Sequence, residues 1–369
     1  MLSFLAAGLV AIVLIEIIFR LNYRRKHGHD YHVSFKLPWK KMYVVSHPYL
    51  SFAYKRNTVI DRNQKLPYEL HYHRFSSFKQ PLRLNNLGHF GKDFSPQKDP
   101  RTLRVACIGA STTANNIADD ERDYTYPALL EAHLQAKFKA AGIDREIEVL
   151  NCGIGGWTSP DIFINFTLNV LPLKPDYIVL YHGFNDLHLY LTPSFHTDYS
   201  HSRKNLGEVL AKIRLSARLP KIPFLHAYES TKDRIFGTGN VRNDVLRMIT
   251  ATEPDYDREF QDLGVEKDIL KHIVVLARHY GIEVLIGSFV HYNYQKNPVA
   301  DKFGEGVRIQ NRHRQEIAEE LGVDFVDQAR SFTMDKEYFV DSIHFSPAGM
   351  KRLAENFGDA LFENYRRKN

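Results

Sequence analysis

The chain has 369 residues, 44% of them hydrophobic and 25% charged, which excludes a disordered protein and allows one large folded domain or two smaller ones. Lysine and arginine outnumber aspartate and glutamate by 49 to 43, giving a net charge of +6, but no Cys/His array, RNA-binding aromatic signature or long basic run accompanies this charge. We therefore expect no nucleic-acid partner. Cys107 and Cys152 each lie within an apolar run, and we expect buried thiols because two cysteines do not make a disulfide framework.

The first predicted element is an apolar segment at the N-terminus. The stretch LSFLAAGLVAIVLIEIIF, residues 2–19, is apolar except for Ser3 and Glu16, and its length is at the short end for a membrane span. It has neither a basic start nor a clear small-residue cleavage site, so we interpret residues 1–19 as an uncleaved single-pass transmembrane anchor. Four basic residues follow at once: Arg20, Arg24, Arg25 and Lys26. The positive-inside rule then favours a cytoplasmic position for the rest of the chain.

Residues 20–100 are rich in tyrosine, histidine, proline and basic residues. Few long periodic runs occur among them, which predicts a juxtamembrane lead-in segment of short strands and loops. Its paired histidines, His27 with His29 and His71 with His73, have no further ligand at a suitable spacing, so no metal site is predicted.

From residue 101 apolar runs of strand length alternate with helical periodicity. The strand candidates are LRVACIG (103–109), IEVLNCG (147–153), DYIVLYHG (176–183), IEVLIGSF (282–289) and VDFVD (323–327). Helices are predicted over residues 126–142, about 160–171 and 266–281, and a last one opens at Ser346 and Pro347. Strands without polar alternation, each followed by a helix, indicate an α/β fold with a parallel sheet covered on both faces. The alternation breaks over about residues 192–263, which we interpret as an insertion on the rim of the sheet.

Polar or flexible groups follow the predicted strands at their carboxyl ends, where ligands bind in open parallel sheets. In chain order these groups are Ser111, Gly156 in NCGIGGWTS, Asn185 with Asp186 in HGFND, and Asp341 with His344 in DSIHFSPAG. Each also has a purely structural interpretation, respectively a helix cap, a tight turn, an Asx-turn and a surface loop. Their joint placement on one rim favours a catalytic site.

The chemistry that these residues compose is nucleophilic acyl transfer. Ser111 is the candidate nucleophile and His344 the base that removes its proton, while Asp341 would orient the imidazole. The backbone N–H groups of Ser111 and Gly156 and the side-chain amide of Asn185 would stabilise the tetrahedral oxyanion.

These motifs resemble the four blocks of the SGNH hydrolases, also called GDSL esterases and lipases. GAST, NCGIGGWT, GFND and DSIH occur in the order of that family, and the resemblance spans about residues 101–366. Ala110 stands where the family has an aspartate, and NNLGHFGKDFS (85–95) resembles a lead-in of membrane-anchored bacterial members. The resemblance implies a three-layer αβα sandwich with a flavodoxin-like sheet, and a carboxylic ester hydrolase that needs no metal or cofactor. Many anchored relatives act outside the cytoplasm on acylated glycans or lipids, so the side of the membrane stays open.

Other enzyme classes fit the sequence less well. An α/β-hydrolase needs glycine two residues after the nucleophile, where this chain has Thr113, and no P-loop follows the first strand. A dinucleotide site needs a third glycine where Thr158 stands. Two alternatives keep the site itself. One is an O-acyltransferase acting on a glycan, and the other is a catalytically silent membrane-anchored glycan-binding or scaffold protein.

The insertion bears on the substrate. It carries polar and aromatic residues suited to sugar hydroxyls and anionic glycans, namely Tyr199, His201, Arg203, Lys204, Arg214 and Tyr228. It lacks a sustained apolar face, so we expect a short-acyl ester of a carbohydrate or similar polar alcohol rather than a long-chain lipid ester. The alternative is that the insertion is a solvated decoration or packs on the membrane surface.

Overall fold

The computed structural model describes residues 44–45, 47–60, 82–114, 125–193, 195–200, 255–260, 263–293 and 298–369, with isolated positions between residues 14 and 25. Most of the predicted anchor and most of the predicted insertion lie outside the described residues. Within the described part of the chain, no helix is both long enough and apolar enough to span a membrane.

The centre of the fold is a five-stranded sheet. Its strands are β5 (Thr102–Gly109), β6 (Glu146–Gly153), β7 (Tyr177–Tyr181), β8 (Glu283–Gly287) and β9 (Asp324–Val326). They lie in the order β6-β5-β7-β8-β9, and every pairing is parallel. Of these five strands, the first in sequence, β5, therefore lies between the second, β6, and the third, β7, as in flavodoxin-like sheets. All five residues of β7 are buried, which explains why the strands read as unbroken apolar runs.

Helices cover both faces of this sheet. The longer ones are α2 (Tyr126–Ala140), α5 (Gly264–His279), α6 (Pro298–Leu321) and α8 (Pro347–Lys368), and the shorter ones are α1 (Ser111–Ala114), α3 (Ser159–Asn165), α4 (Phe184–Tyr190) and α7 (Gln328–Ser331). One apolar core holds Ile162 of α3 and Leu270 of α5. The other, on the opposite face, holds Leu130 of α2 and Phe357 of α8. The predicted α/β fold with three αβα layers is confirmed.

Two details of the helices differ from prediction. The helix expected over about residues 160–171 is α only as far as Asn165, and it continues as a π segment (Phe166–Val170) and a 3-10 turn (Leu171–Leu173). Helix α6, 24 residues long, was not predicted at all. Its buried face includes Gln310 and Arg314, so the apolar period is interrupted.

Part of the lead-in segment packs against the sheet domain. Strand β1 (Val44–Val45) pairs with β2 (Ala53–Tyr54), and β3 (Thr58–Ile60) with β4 (Leu82–Leu84), each antiparallel. The indole N–H of Trp157 donates to the Phe52 carbonyl over 3.0 Å. The Ser51 backbone N–H and hydroxyl both donate to Asp161, over 2.7 and 2.9 Å. Residues 51–54 are thus fixed beside the loop that follows β6.

Candidate active site

Ser111 lies immediately after β5, in the turn that opens α1. The backbone N–H groups of Thr113 and Ala114 both donate to the Ala110 carbonyl. The Ser111 Oγ instead lies 2.9 Å from Nε2 of His344, a residue 233 positions away in sequence. The helix-cap interpretation of Ser111 is therefore wrong, because its hydroxyl bonds the imidazole rather than the helix N-terminus.

Asp341 lies on the other side of the His344 ring. The Nδ1 atom of His344 is 2.9 and 3.0 Å from the two carboxylate oxygens of Asp341. One of these oxygens also accepts from the backbone N–H groups of Ile343 and His344, which fixes the carboxylate in its turn. A carboxylate accepts only, so Nδ1 carries the hydrogen and Nε2 is left to accept the proton of Ser111. The structure thus brings together three of the five predicted site residues in the order nucleophile, base and orienting acid.

The glycine block after β6 lies against the serine. A Cβ added to Gly155 would be 3.6 Å from the Cβ of Ser111. The next residue, Gly156, is in the left-handed region with φ of +86°, where a side chain is disfavoured. This is the position predicted to supply a backbone donor to the oxyanion.

Asn185 is tied to the same block from the β7 side. Its buried side-chain amide donates from Nδ2 to the Trp157 carbonyl over 2.8 Å. An amide nitrogen carries two hydrogens, so one remains for a further acceptor. The predicted oxyanion residues Gly156 and Asn185 are therefore linked through a single intervening residue, Trp157.

Asp186 follows Asn185 in the chain but bonds other groups. It is buried and accepts from the Ser159 backbone N–H over 3.1 Å and from the Tyr199 hydroxyl over 2.7 Å. Burial raises the pKa of this carboxyl to about 6, against the hydrogen bonds of Tyr199 and Ser159. The assignment of Tyr199 to substrate recognition is wrong, because Tyr199 is itself buried and its hydroxyl is used inside the fold. The other predicted sugar-contact residues of the insertion lie outside the described residues.

Comparison with known proteins decides the family. Residues 107–352, more than half of the chain, match the GDSL-like lipase/acylhydrolase family. The chain belongs to this family. The predicted resemblance and the predicted class, a carboxylic ester hydrolase, are both confirmed.

Solved structures are similar to this chain at low identity. A lipase/acylhydrolase from Enterococcus faecalis is 14% identical, with 70% of this chain and 94% of that chain covered and a TM-score of 0.43. An acetylxylan esterase from Geobacillus stearothermophilus is 17% identical, with the same coverage and a TM-score of 0.43. A GDSL-like lipase from Bacteroides thetaiotaomicron is 14% identical, with 71% and 89% covered and a TM-score of 0.39. Likenesses this remote say nothing of the substrate, and no curated protein matches the chain.

Sequence reasoning missed a buried polar cluster that supports the GFND block of this GDSL-like hydrolase. Nη2 of Arg314, on α6, donates to the His182 carbonyl over 2.6 Å and to Glu266 on α5 over 2.8 Å. Gln310 donates to the Gly183 carbonyl over 2.9 Å. Gly183 has φ of +138°, and a Cβ there would be 2.2 Å from the Arg314 guanidinium, so the turn requires glycine. These contacts hold the backbone from which Asn185 projects.

The same cluster contains a buried ion pair. Arg314 and Glu266 are at most 1% exposed, and burial raises the pKa of Glu266 to about 7 against the opposing effect of the Arg314 charge. Removing one partner of a buried pair leaves the other charge without compensation. The cluster is therefore sensitive to single substitutions although none of its members bonds Ser111 or His344.

We expect Asn185→Ala to lower kcat by about 10²–10³-fold with little change in KM, because loss of one fixed oxyanion donor weakens only the transition state. Steady-state kinetics on a chromogenic acetate ester measure both constants. Asn364→Ala is the matched control, since Asn364 is also buried and bonds Tyr177 and Asp324, the first residues of β7 and β9, at the end of the strands opposite the site. A change in KM alone for Asn185→Ala would make Asn185 a binding residue instead.

We expect the variant His182→Leu to lose less stability than the wild type as the pH falls. His182 is buried, neither ring nitrogen has a partner among the described residues, and burial together with Arg314 lowers its pKa from 6.5 to about 3. As pH falls through 6.5, the unfolded chain gains a proton at this position and the folded chain does not, so stability is lost. Between pH 7 and 4.5 the free energy of unfolding of the wild type should fall by about 2–3 kcal/mol more than that of the variant.

Urea unfolding at several pH values measures this difference. Asp186 and Glu266 are present in both proteins, so their contributions cancel in the comparison. Parallel stability curves for the wild type and His182→Leu would show that His182 titrates alike in the folded and unfolded chains.

Proposed function

We propose that the protein hydrolyses short-acyl esters, acetyl esters in the first place, of a carbohydrate or similar polar alcohol through an acyl-enzyme on Ser111. The observation that carries the proposal is the hydrogen-bonded chain from Ser111 Oγ to His344 Nε2 and from His344 Nδ1 to Asp341. A serine hydroxyl becomes a useful nucleophile only when an aligned base removes its proton, and His344 lies in place to be that base.

Acylation begins when the Ser111 oxygen attacks the ester carbonyl while its proton passes to Nε2 of His344. The carbonyl oxygen becomes an oxyanion, which the N–H groups of Ser111 and Gly156 and the amide of Asn185 stabilise. Asp341 stabilises the imidazolium. The intermediate then collapses, the bond from the carbonyl carbon to the alcohol oxygen breaks, and His344 gives its proton to the departing alcohol.

Deacylation repeats these steps with water. His344 removes a proton from water, the hydroxide adds to the acyl carbon, and collapse releases the carboxylic acid and returns the proton to Ser111. A sugar hydroxyl in the place of water would give an O-acyltransferase with the same site. Product analysis decides between the two reactions.

The surroundings of Ser111 support a small acyl group and a polar alcohol. The glycine block approaches the serine closely at Gly155, where the phenol hydroxyl of Tyr54 lies 3.2 Å from the position of an added Cβ. Crowding on this side favours acetyl or propionyl over a long chain, and the phenol hydroxyl favours an alcohol that can hydrogen-bond.

An ester series of increasing chain length tests the proposal. We expect kcat/KM to be largest for acetyl or propionyl esters and to fall sharply by octanoyl, with Ser111→Ala as the inactive control. A profile rising toward octanoyl would replace the proposal by a lipid esterase. Incubation with acetyl donor and a sugar acceptor, followed by mass spectrometry, separates free acetate from transferred acetyl. Absence of turnover with every ester would favour the silent scaffold.

We also propose that residues 1–19 hold the enzyme at a membrane. We expect the full chain in the membrane fraction and a chain of residues 26–369 in the soluble fraction with its esterase activity kept, because no candidate site residue lies in the deleted part. A reporter fused to the C-terminus distinguishes the cytoplasmic side, which the charges favour, from the outer side, which the family resemblance favours. A full chain that fractionates as soluble would contradict the anchor.

A further inference from the structure

A cavity lies between the lead-in segment and the glycine block. Its volume is about 220 Å³, and it is lined by residues of the lead-in, by Ile154 and Trp157 of the loop after β6, and by Asn165 and Asn169. Drug-sized ligands occupy cavities of about 300–1,000 Å³, so this one has room for about one sugar ring. Neither Ser111 nor His344 lines it.

Tyr54 connects this cavity with the candidate active site. It lines the cavity, and its hydroxyl lies 3.2 Å from the position that a Cβ on Gly155 would take. The same position is 3.6 Å from the Cβ of Ser111. Tyr54 and Ser111 therefore border one glycine, and the alcohol part of an ester whose carbonyl lies at Ser111 can extend past Tyr54 into the cavity.

The charge of the cavity is positive. Lys55 and Arg56, both exposed, line it, and no carboxylate occurs among the lining residues that the structure describes. Asp161, whose charge acts on His47, is buried and accepts two hydrogen bonds from Ser51. Among the described lining residues, an anionic group entering the cavity therefore meets two cations and no carboxylate.

Two histidines add uncharged polar groups to the walls. Nδ1 of His47 accepts from the backbone N–H groups of Tyr49 and Leu50, so its hydrogen is on Nε2. Nδ1 of the buried His89 faces the Gly153 carbonyl over 3.4 Å, which leaves Nε2 as an acceptor. Burial lowers the pKa of both rings and the Arg56 charge lowers each further, against the Asp161 charge at His47 and the Gly153 hydrogen bond at His89. Both rings are therefore neutral near pH 7, one with a free donor and one with a free acceptor suited to sugar hydroxyls.

We propose that this cavity is a subsite for a carboxylate-bearing sugar, a uronic acid unit of the alcohol part of the substrate. Lys55 and Arg56 bind the carboxylate, and His47 and His89 bind ring hydroxyls. The inference rests on the proposed function, since the ester of the same molecule is placed at Ser111. It narrows the substrate class from polar alcohols in general to acylated acidic carbohydrates.

A pair of substrates tests the subsite by selectivity. The 3-O-acetyl esters of methyl galacturonoside and methyl galactoside differ only at C6, which is a carboxylate in the first and a hydroxymethyl group in the second. We expect the wild type to favour the uronide, and the ratio of the two kcat/KM values to fall about tenfold in Lys55→Gln/Arg56→Gln, because charge-assisted hydrogen bonds are among the stronger ones. Arg366→Gln, an exposed arginine at the far end of α8, is the matched control and should leave the ratio unchanged. An equal ratio in the wild type and the double variant would overturn the subsite.

A binding measurement is independent of turnover. Calorimetric titration of Ser111→Ala with unacylated digalacturonate should give saturable binding that added salt weakens, and Lys55→Gln/Arg56→Gln in the same background should raise Kd about tenfold. The same Kd in both proteins, or no binding to Ser111→Ala, would overturn the subsite.

The two experiments separate the two proposals. Charge-dependent binding without hydrolysis of any ester would remove the proposed function and leave the subsite. Hydrolysis of both esters with an unchanged ratio would leave the proposed function and remove the subsite.

Discussion

Ser111→Ala should lower kcat/KM for a chromogenic acetate ester by about 10⁴-fold or more while the thermal midpoint stays within about 2 °C. The rate should fall because, of the hydrogen-bonded residues Ser111, His344 and Asp341, Ser111 is the one that carries the acyl group. The thermal midpoint should hold because Ser111 is partly exposed and its hydroxyl bonds the His344 ring, not the ends of a helix. Initial rates with excess ester and a thermal scan measure the two quantities.

A second serine gives the control for this substitution. Ser95 is exposed and its hydroxyl accepts from the Gln97 backbone N–H in a turn of the lead-in segment. Ser95→Ala should keep the wild-type rate. Full activity in Ser111→Ala would remove Ser111 from the mechanism.

His344→Ala should be nearly as damaging as Ser111→Ala, because the nucleophile and its base act as one unit. A double variant Ser111→Ala/His344→Ala should then be no slower than either single variant. Rates across pH 6 to 9 exclude a mere shift of the optimum. Rates in His344→Ala close to those of the wild type anywhere in this range would contradict the role of His344 as base.

Asp341→Asn should cost less activity than His344→Ala. Asparagine keeps an oxygen that can accept from the backbone N–H groups of Ile343 and His344, so the turn remains in place. What is lost is the negative charge that stabilises the imidazolium. A loss equal to that of His344→Ala would indicate that the tautomer of the ring depends on Asp341 entirely.

Much of the sheet could be predicted because its strands are buried on both faces. Strand β7 has no exposed residue, so its sequence is an unbroken apolar run that is easy to recognise. Helix α6 could not be predicted from its apolar pattern, and the reason is physical. It buries Gln310 and Arg314 against the His182–Gly183 backbone and Glu266, and polar residues on the inner face hide the helical period.

The site was predictable where its chemistry comes from side chains at strand ends. Ser111 and Asn185 each follow a recognisable run, and sheet topology brings such ends together. His344 comes after the last strand and a short helix, within the DSIH motif. The supporting contacts were not predictable, because they join distant segments of ordinary composition. Arg314 reaches the GFND block across 132 positions, and Trp157 bonds the Phe52 carbonyl across 105. Tyr199 shows the converse error, since an aromatic residue within the predicted rim insertion was assigned to substrate recognition and is buried.

The identity of the nucleophile is tested most directly by the position of a covalent adduct. The wild-type protein should be treated with a fluorophosphonate, digested, and the modified peptide fragmented in a mass spectrometer. We expect one phosphonyl group, on Ser111, with a rate of labelling that falls sharply in His344→Ala because the base is gone. An active protein that takes up no label, or that carries the label on another residue, would contradict the account.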